Sequence, residues 1–547
     1  MRSRSLGHRA PLLWLVLPLI AGLTVGRAFS GLTPFGTLAA SLGLVVLAWR
    51  MRDSSPRAWA GALVAAMMLA GAAAYSLHRA RLAAWEDLPP REVRLGLRID
   101  HVFPRAATAA TITGLATVTR TEAHLRELVA QRIYFSLRRR PGERAPIRSA
   151  VVAAGGVLGT VPRTPPADSF DGYLAAAGIN FRLNRGRILT EETPPTRYHR
   201  FCAHAATRFE SILGYGLTEK QPRLAGLLRA MMLGHTHELN EEQRTLFMQS
   251  GTMHLFAISG LNIGVIALAL ESILRLFRLP ALLRYLAGGV LLWLFVDITG
   301  GSASAVRAFI MAIFFASARA WRRPGNPIAA LAASTLVVLL CSPLEVFGAS
   351  FLMSYSIVGA LFLFGVPLAD AGQEHWAPWR DLPRPAWRWW HHGIAAGWRK
   401  ILSALAVGIA ATLVSLLTGV QFFGMLTPGS LLTNLVLIPA AMVATAGGFA
   451  SLLAGLAGFD SGVLVSNHAA ALTLLAIEAI VAWSVRWPGA FLPATFAAPW
   501  IGPASLTLLL AVMTAGYATD WKRAGRWWPP VAVVGLTLIF GVRYGAA

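Results

Sequence analysis

The sequence predicts a polytopic α-helical membrane protein with a small extracytoplasmic all-β domain inserted after the third helix. Of 547 residues, 55% are hydrophobic and 14% charged, with a mean hydropathy of +0.55, whereas a soluble chain carries about 25% charged residues. Apolar stretches of the ~20 residues that a helix needs to cross ~30 Å of hydrocarbon recur along most of the chain. One stretch of about a hundred residues departs from this and alternates apolar and polar side chains with period two. A soluble enzyme is excluded. Disorder, collagen and disulfide-stapled scaffolds are excluded too, because the 51 Gly and 31 Pro have no triplet period and only Cys202 and Cys341 are present. Both cysteines read as apolar packing residues. The formal net charge of +23, nearly all of it Arg, suggests an anionic partner, but basic loops and lipid head groups explain part of any such excess.

Residues 1–87 read as a three-helix membrane segment with apolar runs near 11–29, 35–49 and 57–77. Arg2, Arg4 and Arg9 precede the first run and no small-residue cleavage site follows it, so it reads as an uncleaved helix. The connection around Arg50, Arg52 and Arg57 is basic and the one from Ser30 to Phe35 uncharged. The positive-inside rule then puts the N-terminus in the cytoplasm and the chain outside after three crossings.

Residues 88–195 read as an extracytoplasmic OB-like barrel. Val93, Leu95, Leu97 and Ile99 share one strand face; Ile133, Phe135 and Leu137 share another, and Ile179, Phe181 and Leu183 a third, preceded by a short helix over 170–178. Residues 91–200 hold 18 Arg against 9 Asp plus Glu, a basic surface that an inside-loop rule does not explain. Residues 196–221 form an amphipathic interfacial helix in this reading, with Phe201, Phe209, Ile212 and Leu213 on the membrane surface. Spans resume near 252–275, 281–299, 303–320, 327–341, 346–367, 401–419, 429–457, 462–485, 500–517 and 529–543, and the Trp-bearing stretch 369–400 reads as interfacial.

Three places combine small and polar residues with a span entrance. Residues 251–262 include His254, Ser259 and Asn262; residues 297–309 put Arg307 behind Gly300 and Gly301, with Asp297 across the hinge; residues 423–434 run through Pro428 and Gly429 to Asn434. Each pattern also suits plain helix packing. An intramembrane charge, however, costs about 3 kcal/mol or more unless paired or hydrated, and broken helices are tolerated where they line a cavity. Asp297 is the partner the sequence offers Arg307, and a water-filled path for an anion is the functional alternative.

The runs His254 to Leu261, Ser304 to Ala308, Asn326 to Leu331 with Ser342-Pro343-Leu344-Glu345, and Phe351 to Tyr355 resemble the membrane domain of the ComEC family. Pro428 to Asn434 with Ile438-Pro439 is similar to the same domain's later break, and Ser169 to Ile179 to the end of its outer OB-like domain. The resemblance covers 222–500 as a competence-type channel domain and leaves 501–547 as C-terminal membrane helices. It implies an inner-membrane channel that carries single-stranded DNA into the cytoplasm during natural transformation. On that reading His254, Ser259, Asn262, Asp297, Arg307 and Asn434 line or support the path, and Phe103, Tyr134, Arg138, Arg139 and Arg140 bind DNA. The implied partners are single-stranded DNA and lipid, with a competence DNA receptor, a cytoplasmic ATPase motor and a separately encoded nuclease beside them.

Two departures qualify this. Asn262 stands where the family usually has His, and no segment fits the metallo-β-lactamase-like nuclease domain of many members. The expectation is therefore a channel without catalytic residues, metal, cofactor or P-loop, driven from elsewhere. His235-Thr236-His237-Glu238 is similar to half of that nuclease's metal motif, but Leu239 and Asn240 replace its remaining ligands, so it reads as a surface loop before a helix capped by Asn240. The alternatives are an intramembrane hydrolase using Ser259 with His254 or His468, and a small-molecule or lipid-linked transporter. Glu478, in mid-span, reads either as part of such a hydrolase site or of a proton path, or equally as bonded to His468 or to a neighbouring helix.

Overall fold

The computed structural model describes residues 10–29, 31–53, 55–79, 89–105, 110–139, 145–162, 165–166, 169–379, 382–521 and 525–545. Three helices open the chain: α1 (Leu13–Ala28), α2 (Pro34–Met51) and α3 (Pro56–Arg79). Proline starts α2 and α3, where its missing N–H costs nothing. Backbones of α1 and α3 touch: a Cβ on Gly22 would lie 1.8 Å from the Met68 carbonyl oxygen, and one on Gly71 2.3 Å from that of Leu19. Such small-residue contacts hold helices together in lipid, where apolar side chains gain nothing by leaving their solvent.

Five strands then close a barrel in the order β1-β2-β3-β5-β4: β1 (Arg91–Val102), β2 (Thr111–Arg120), β3 (Arg132–Arg138), β4 (Val151–Thr160) and β5 (Phe181–Thr193). All pairs are antiparallel except β3 with β5. The predicted inward faces of Val93, Leu95, Leu97, Ile99, Ile133, Phe135, Leu137, Phe181 and Leu183 form its core. Ile179 instead joins a second cluster outside the barrel, with Leu115, Tyr134 and Leu174, beneath the short helix α4 (Phe170–Ala176). Ser169 caps that helix by accepting from Gly172 N–H at 3.0 Å. Closure removes the sheet edges that a small exposed sheet would otherwise leave unpaired.

The helix that follows, α5 (Arg197–Gly214), corrects the expectation of a surface-lying segment. Its Phe209, Ile212 and Leu213 are buried in a protein core and Phe201 alone of the four is exposed. Asn467 donates to the carbonyls of Ile212 and Tyr215 at 2.8 and 3.0 Å, satisfying the end of the helix. An amphipathic stripe can be covered by protein as well as by lipid, and periodicity alone does not distinguish the two.

The remainder is a helical bundle: α6 (Pro222–Leu233), α7 (Glu241–Gln249), α8 (Gly260–Leu276), α9 (Ala281–Ile298), α10 (Ala303–Ala320), α11 (Pro327–Cys341), α12 (Ala349–Ala360), α13 (Val366–His375), α14 (Trp389–Phe423), α15 (Ser430–Leu456), α16 (Asp460–Val485), α17 (Ile501–Thr519) and α18 (Pro529–Phe540). Among the described residues, ten helices or joined helices are long and apolar enough to cross a membrane, and α1, α11 and α18 are shorter apolar ones; all correspond to predicted spans. One π-turn, Leu361–Gly365, joins α12 to α13. α14, at 35 residues, is ~52 Å long at 1.5 Å per residue, so the span predicted at 401–419 extends through its Trp-rich first turns beyond the hydrocarbon. One core gathers α5, α6, α8, α9, α15 and α16; a second gathers α12, α14, α17 and α18. A short sheet of β6 (Met425–Leu426), β7 (Leu492–Phe496) and β8 (Val542–Tyr544) ties the third helix break to the last helix.

Candidate functional site

The three breaks in the helical pattern adjoin one another in space. Between α7 and α8 the backbone runs through a 3₁₀ turn, Met253–Leu255, until the Ser259 side chain accepts from Asn262 N–H at 3.4 Å and starts α8. Gly251 has φ +72°, and a Cβ there would lie 2.9 Å from Thr427 Oγ1, so this break abuts the third one. At its other end Ser304, in the first turn of α10, donates to the Ile258 carbonyl at 2.8 Å, joining it to the second break. His254, in that 3₁₀ turn, is exposed.

Arg307 lies one turn inside α10 and is 2% exposed. Its partner is not Asp297. Nη1 donates to Glu345 Oε2 at 2.9 Å, and Nη2 bonds the Ser350 hydroxyl. Glu345 comes from the segment joining α11 to α12, and Ser350 from the first turn of α12. Nε is buried with no protein partner among the described residues. Glu345 is half-buried and Ser350 exposed, so both partners of the buried guanidinium reach towards the surface.

Asp297 serves elsewhere. Arg148, just before β4, bonds its carboxylate directly, and Tyr198 of α5 is near enough to be affected by its charge. Desolvation first, then the Asp297 carboxylate, push the Tyr198 hydroxyl far above its ordinary range. Gly301, at φ +61°, makes the approach possible: a Cβ there would lie 3.2 Å from Arg148 Nη1 and 3.5 Å from Asp297 Oδ1. Gly300, at φ +96°, lies against His101 of β1: a Cβ there would be 3.8 Å from the ring Cε1. Burial holds His101 below the usual histidine range. The glycine hinge is therefore where the barrel is latched to the bundle. Asn180, in the turn before β5, adds a second latch by accepting from Arg79 Nη1 at 2.7 Å and donating to the His78 carbonyl at 2.8 Å.

The latch brings an aromatic series to the same place. Phe103 and Tyr134 stand 6.4 Å apart between ring centroids, Tyr134 and Phe170 5.1 Å, and Phe170 and Tyr173 5.9 Å in a stacked pair. Phe103 is half-buried and Tyr134 9% exposed, so neither offers a free face; Phe170 and Tyr173 are 52% and 47% exposed and do. Desolvation raises the Tyr173 hydroxyl, and the charges about it are Arg132, Glu345 and Arg307. The helix that carries the open rings packs on the segment that carries Glu345: a Cβ on Gly348 would lie 3.3 Å from Ala176 Cβ, and one on Gly178 3.9 Å from Leu344 Cδ1. Arg132 and Arg138 are exposed at the two ends of the β3 face that carries Tyr134. Arg139 is half-buried, and Arg140 lies outside the described residues. Sequence reasoning missed Phe170 and Tyr173, although their i, i+3 spacing on a helix signals a shared face.

The remaining candidates are placed as follows. Asn262, 2% exposed, donates to the Met231 carbonyl at 3.1 Å and accepts from Thr445 Oγ1 at 3.2 Å, bridging α6, α8 and α15. Asn434 keeps its Oδ1 buried without a protein partner among the described residues. His254 and His468 turn Nδ1 to the carbonyls of Gly251 and Leu464, while Ser259 caps its helix. Glu478 bonds Arg223 of α6 (3.1 Å to Nε) and Gln243 of α7 (3.1 Å), which settles its partner as the neighbouring helices and not His468. Asn240 caps α7 in a reciprocal pair with Gln243, as predicted. The His235 to Glu238 segment is half-buried against α5 and α6 and not a free surface loop: one ligand atom each of Glu210, His235 and Glu238 lie within 4.8 Å of one another.

Comparison with known proteins agrees with the family expectation. A model described as Competence protein matches residues 231–519, just over half of the chain. ComE operon protein 3 of Bacillus subtilis (strain 168) is 30% identical over 145 residues, 26% of this chain and 18% of that protein. Recombination protein 2 of Haemophilus influenzae is 31% identical over 147 residues, 26% of this chain and 19% of that protein. The matched stretch is thus under a fifth of either relative's length. No solved structure matches. With the ordered motifs, the helical membrane bundle and the barrel after its third helix all in agreement, this chain belongs to the Competence protein family, the ComEC family that its motifs resemble.

Proposed function

We propose that the chain conducts a single strand of DNA inward across the bacterial cytoplasmic membrane. The barrel faces outward and receives the strand, and the helix breaks pass it on. The observation that carries this reading is the packing of the helix that bears two exposed stacking rings, Phe170 and Tyr173, on the segment whose Glu345 pairs with the buried Arg307. Bases stack on aromatic faces without regard to sequence, and phosphates are drawn by Arg, which suits a conduit for any strand. At the hinge a phosphate that displaces the Glu345 carboxylate takes over its bonds to Arg307, so the charge enters a low-dielectric region with a partner in place. Ser259, Asn262 and Asn434 support the breaks around this point. The names of the relatives, a com operon protein and a recombination protein, agree with DNA as cargo.

Two experiments test this reading. Binding of a labelled oligonucleotide to the purified protein is expected to weaken steeply with salt, with a log–log slope of about −0.7 per phosphate neutralised; an affinity independent of salt contradicts it. A protease-cleavable tag inserted at Pro141 is expected to be cut in intact spheroplasts. Cleavage only after lysis reverses the orientation and with it the direction of entry.

A further inference from the structure

We propose that Glu210, His235 and Glu238 bind a divalent metal ion of the zinc class where α5 meets the segment after α6. This site is separate from the hinge and carries no part of the proposed passage of DNA. Its geometry is that of a ligand set a small adjustment away from closure. His235 Nδ1 and Glu238 Oε1 are 3.1 Å apart, close to the ~3.3 Å that separates two ligand atoms each ~2.0 Å from a tetrahedral ion. Glu210 supplies a third ligand atom within 4.8 Å of both others.

The surroundings favour an ion over a closed ion-pair network. Arg229 holds Glu238 by Oε2 at 2.8 Å, leaving Oε1 turned to the cluster, as outer-shell partners orient ligating carboxylates. The Glu210 carboxylate accepts no hydrogen bond among the described residues. His237, its ring centroid 5.4 Å from that of His235, has a buried Nδ1 without a protein partner and counts Glu210 and Glu238 among its charged neighbours. It neighbours the three ligand atoms without being one of the set. Carboxylate oxygen with imidazole nitrogen suits zinc and its neighbours better than calcium or magnesium. A cleft of about 720 Å³, lined by Glu210, Arg229 and His468 among others, reaches the cluster on its Glu210 side. A bound ion would fasten α5, the helix that follows the barrel, to the α6–α7 connection.

The test uses the full chain in detergent, without a polyhistidine tag, dialysed free of metal. Zinc titrated against a chromophoric chelator is expected to bind one equivalent per chain, and Co²⁺ to give the visible bands of a low-coordinate N/O site. Glu210→Gln and His235→Ala are each expected to weaken zinc binding at least ~10-fold, while His468→Ala, on the same cleft, leaves it unchanged. Should the variants fail to fold, the Co²⁺ spectrum of the unaltered protein decides. Absence of stoichiometric zinc and of those bands, or equal affinity in the Glu210 and His235 variants, overturns the proposal and leaves Arg229, Glu238 and His235 as a simple ion-pair network. Neither result depends on DNA transport.

Discussion

Replacement of Arg307 and Glu345 together by methionine is expected to leave a membrane-inserted, folded protein that takes up DNA about 100-fold less well. The two side chains form an ion pair in which Arg307 is 2% exposed. Exchanging a whole buried pair for apolar groups of similar volume is often neutral for stability, whereas removing one partner strands a charge. Arg307→Leu alone is therefore a poor test, since it leaves the Glu345 carboxylate unpaired and damages folding as well as passage. The transport estimate follows from the ~3 kcal/mol cost of an unpaired charge at membrane depth, at about 1.4 kcal/mol per tenfold change in rate. Arg307→Lys, which keeps the charge and loses the planar fork, is expected to retain part of the uptake. Normal uptake in the double methionine variant would make the pair a packing element.

The second large effect concerns the rings. Phe170→Ala with Tyr173→Ala is expected to weaken single-strand binding about 30-fold, because stacking contributes ~1–3 kcal/mol per base. Barrel stability should hold, since both side chains are about half exposed and lie outside the barrel core. Retention of the original affinity would move the interface away from α4 and the hinge.

Much of the architecture was legible because each element is written in a local period. The spans follow from apolar length, and the barrel strands from alternation along Val93 to Ile99 and Ile133 to Leu137. What was not legible depends on which elements meet. Arg307 and Asp297 are close in sequence and looked paired, but a helix and a glycine hinge turn them to different partners, Glu345 and Arg148. The apolar face of α5 reads the same whether lipid or protein covers it. Tyr134 was readable as an aromatic on a basic strand, yet its burial beneath α4 is tertiary, and the open faces belong to Phe170 and Tyr173. Glu210 approaches the His235 segment only through the packing of α5. The strands β6 to β8 are too short to leave a period at all.

The account rests most directly on passage of a strand through the protein itself. Reconstituted into liposomes under an imposed gradient, the unaltered chain should carry a labelled oligonucleotide into a nuclease-protected lumen, and vesicles bearing the double methionine variant at Arg307 and Glu345 should not. Lumenal label no greater than in protein-free vesicles, or equal in the two preparations, would contradict a DNA path through this hinge.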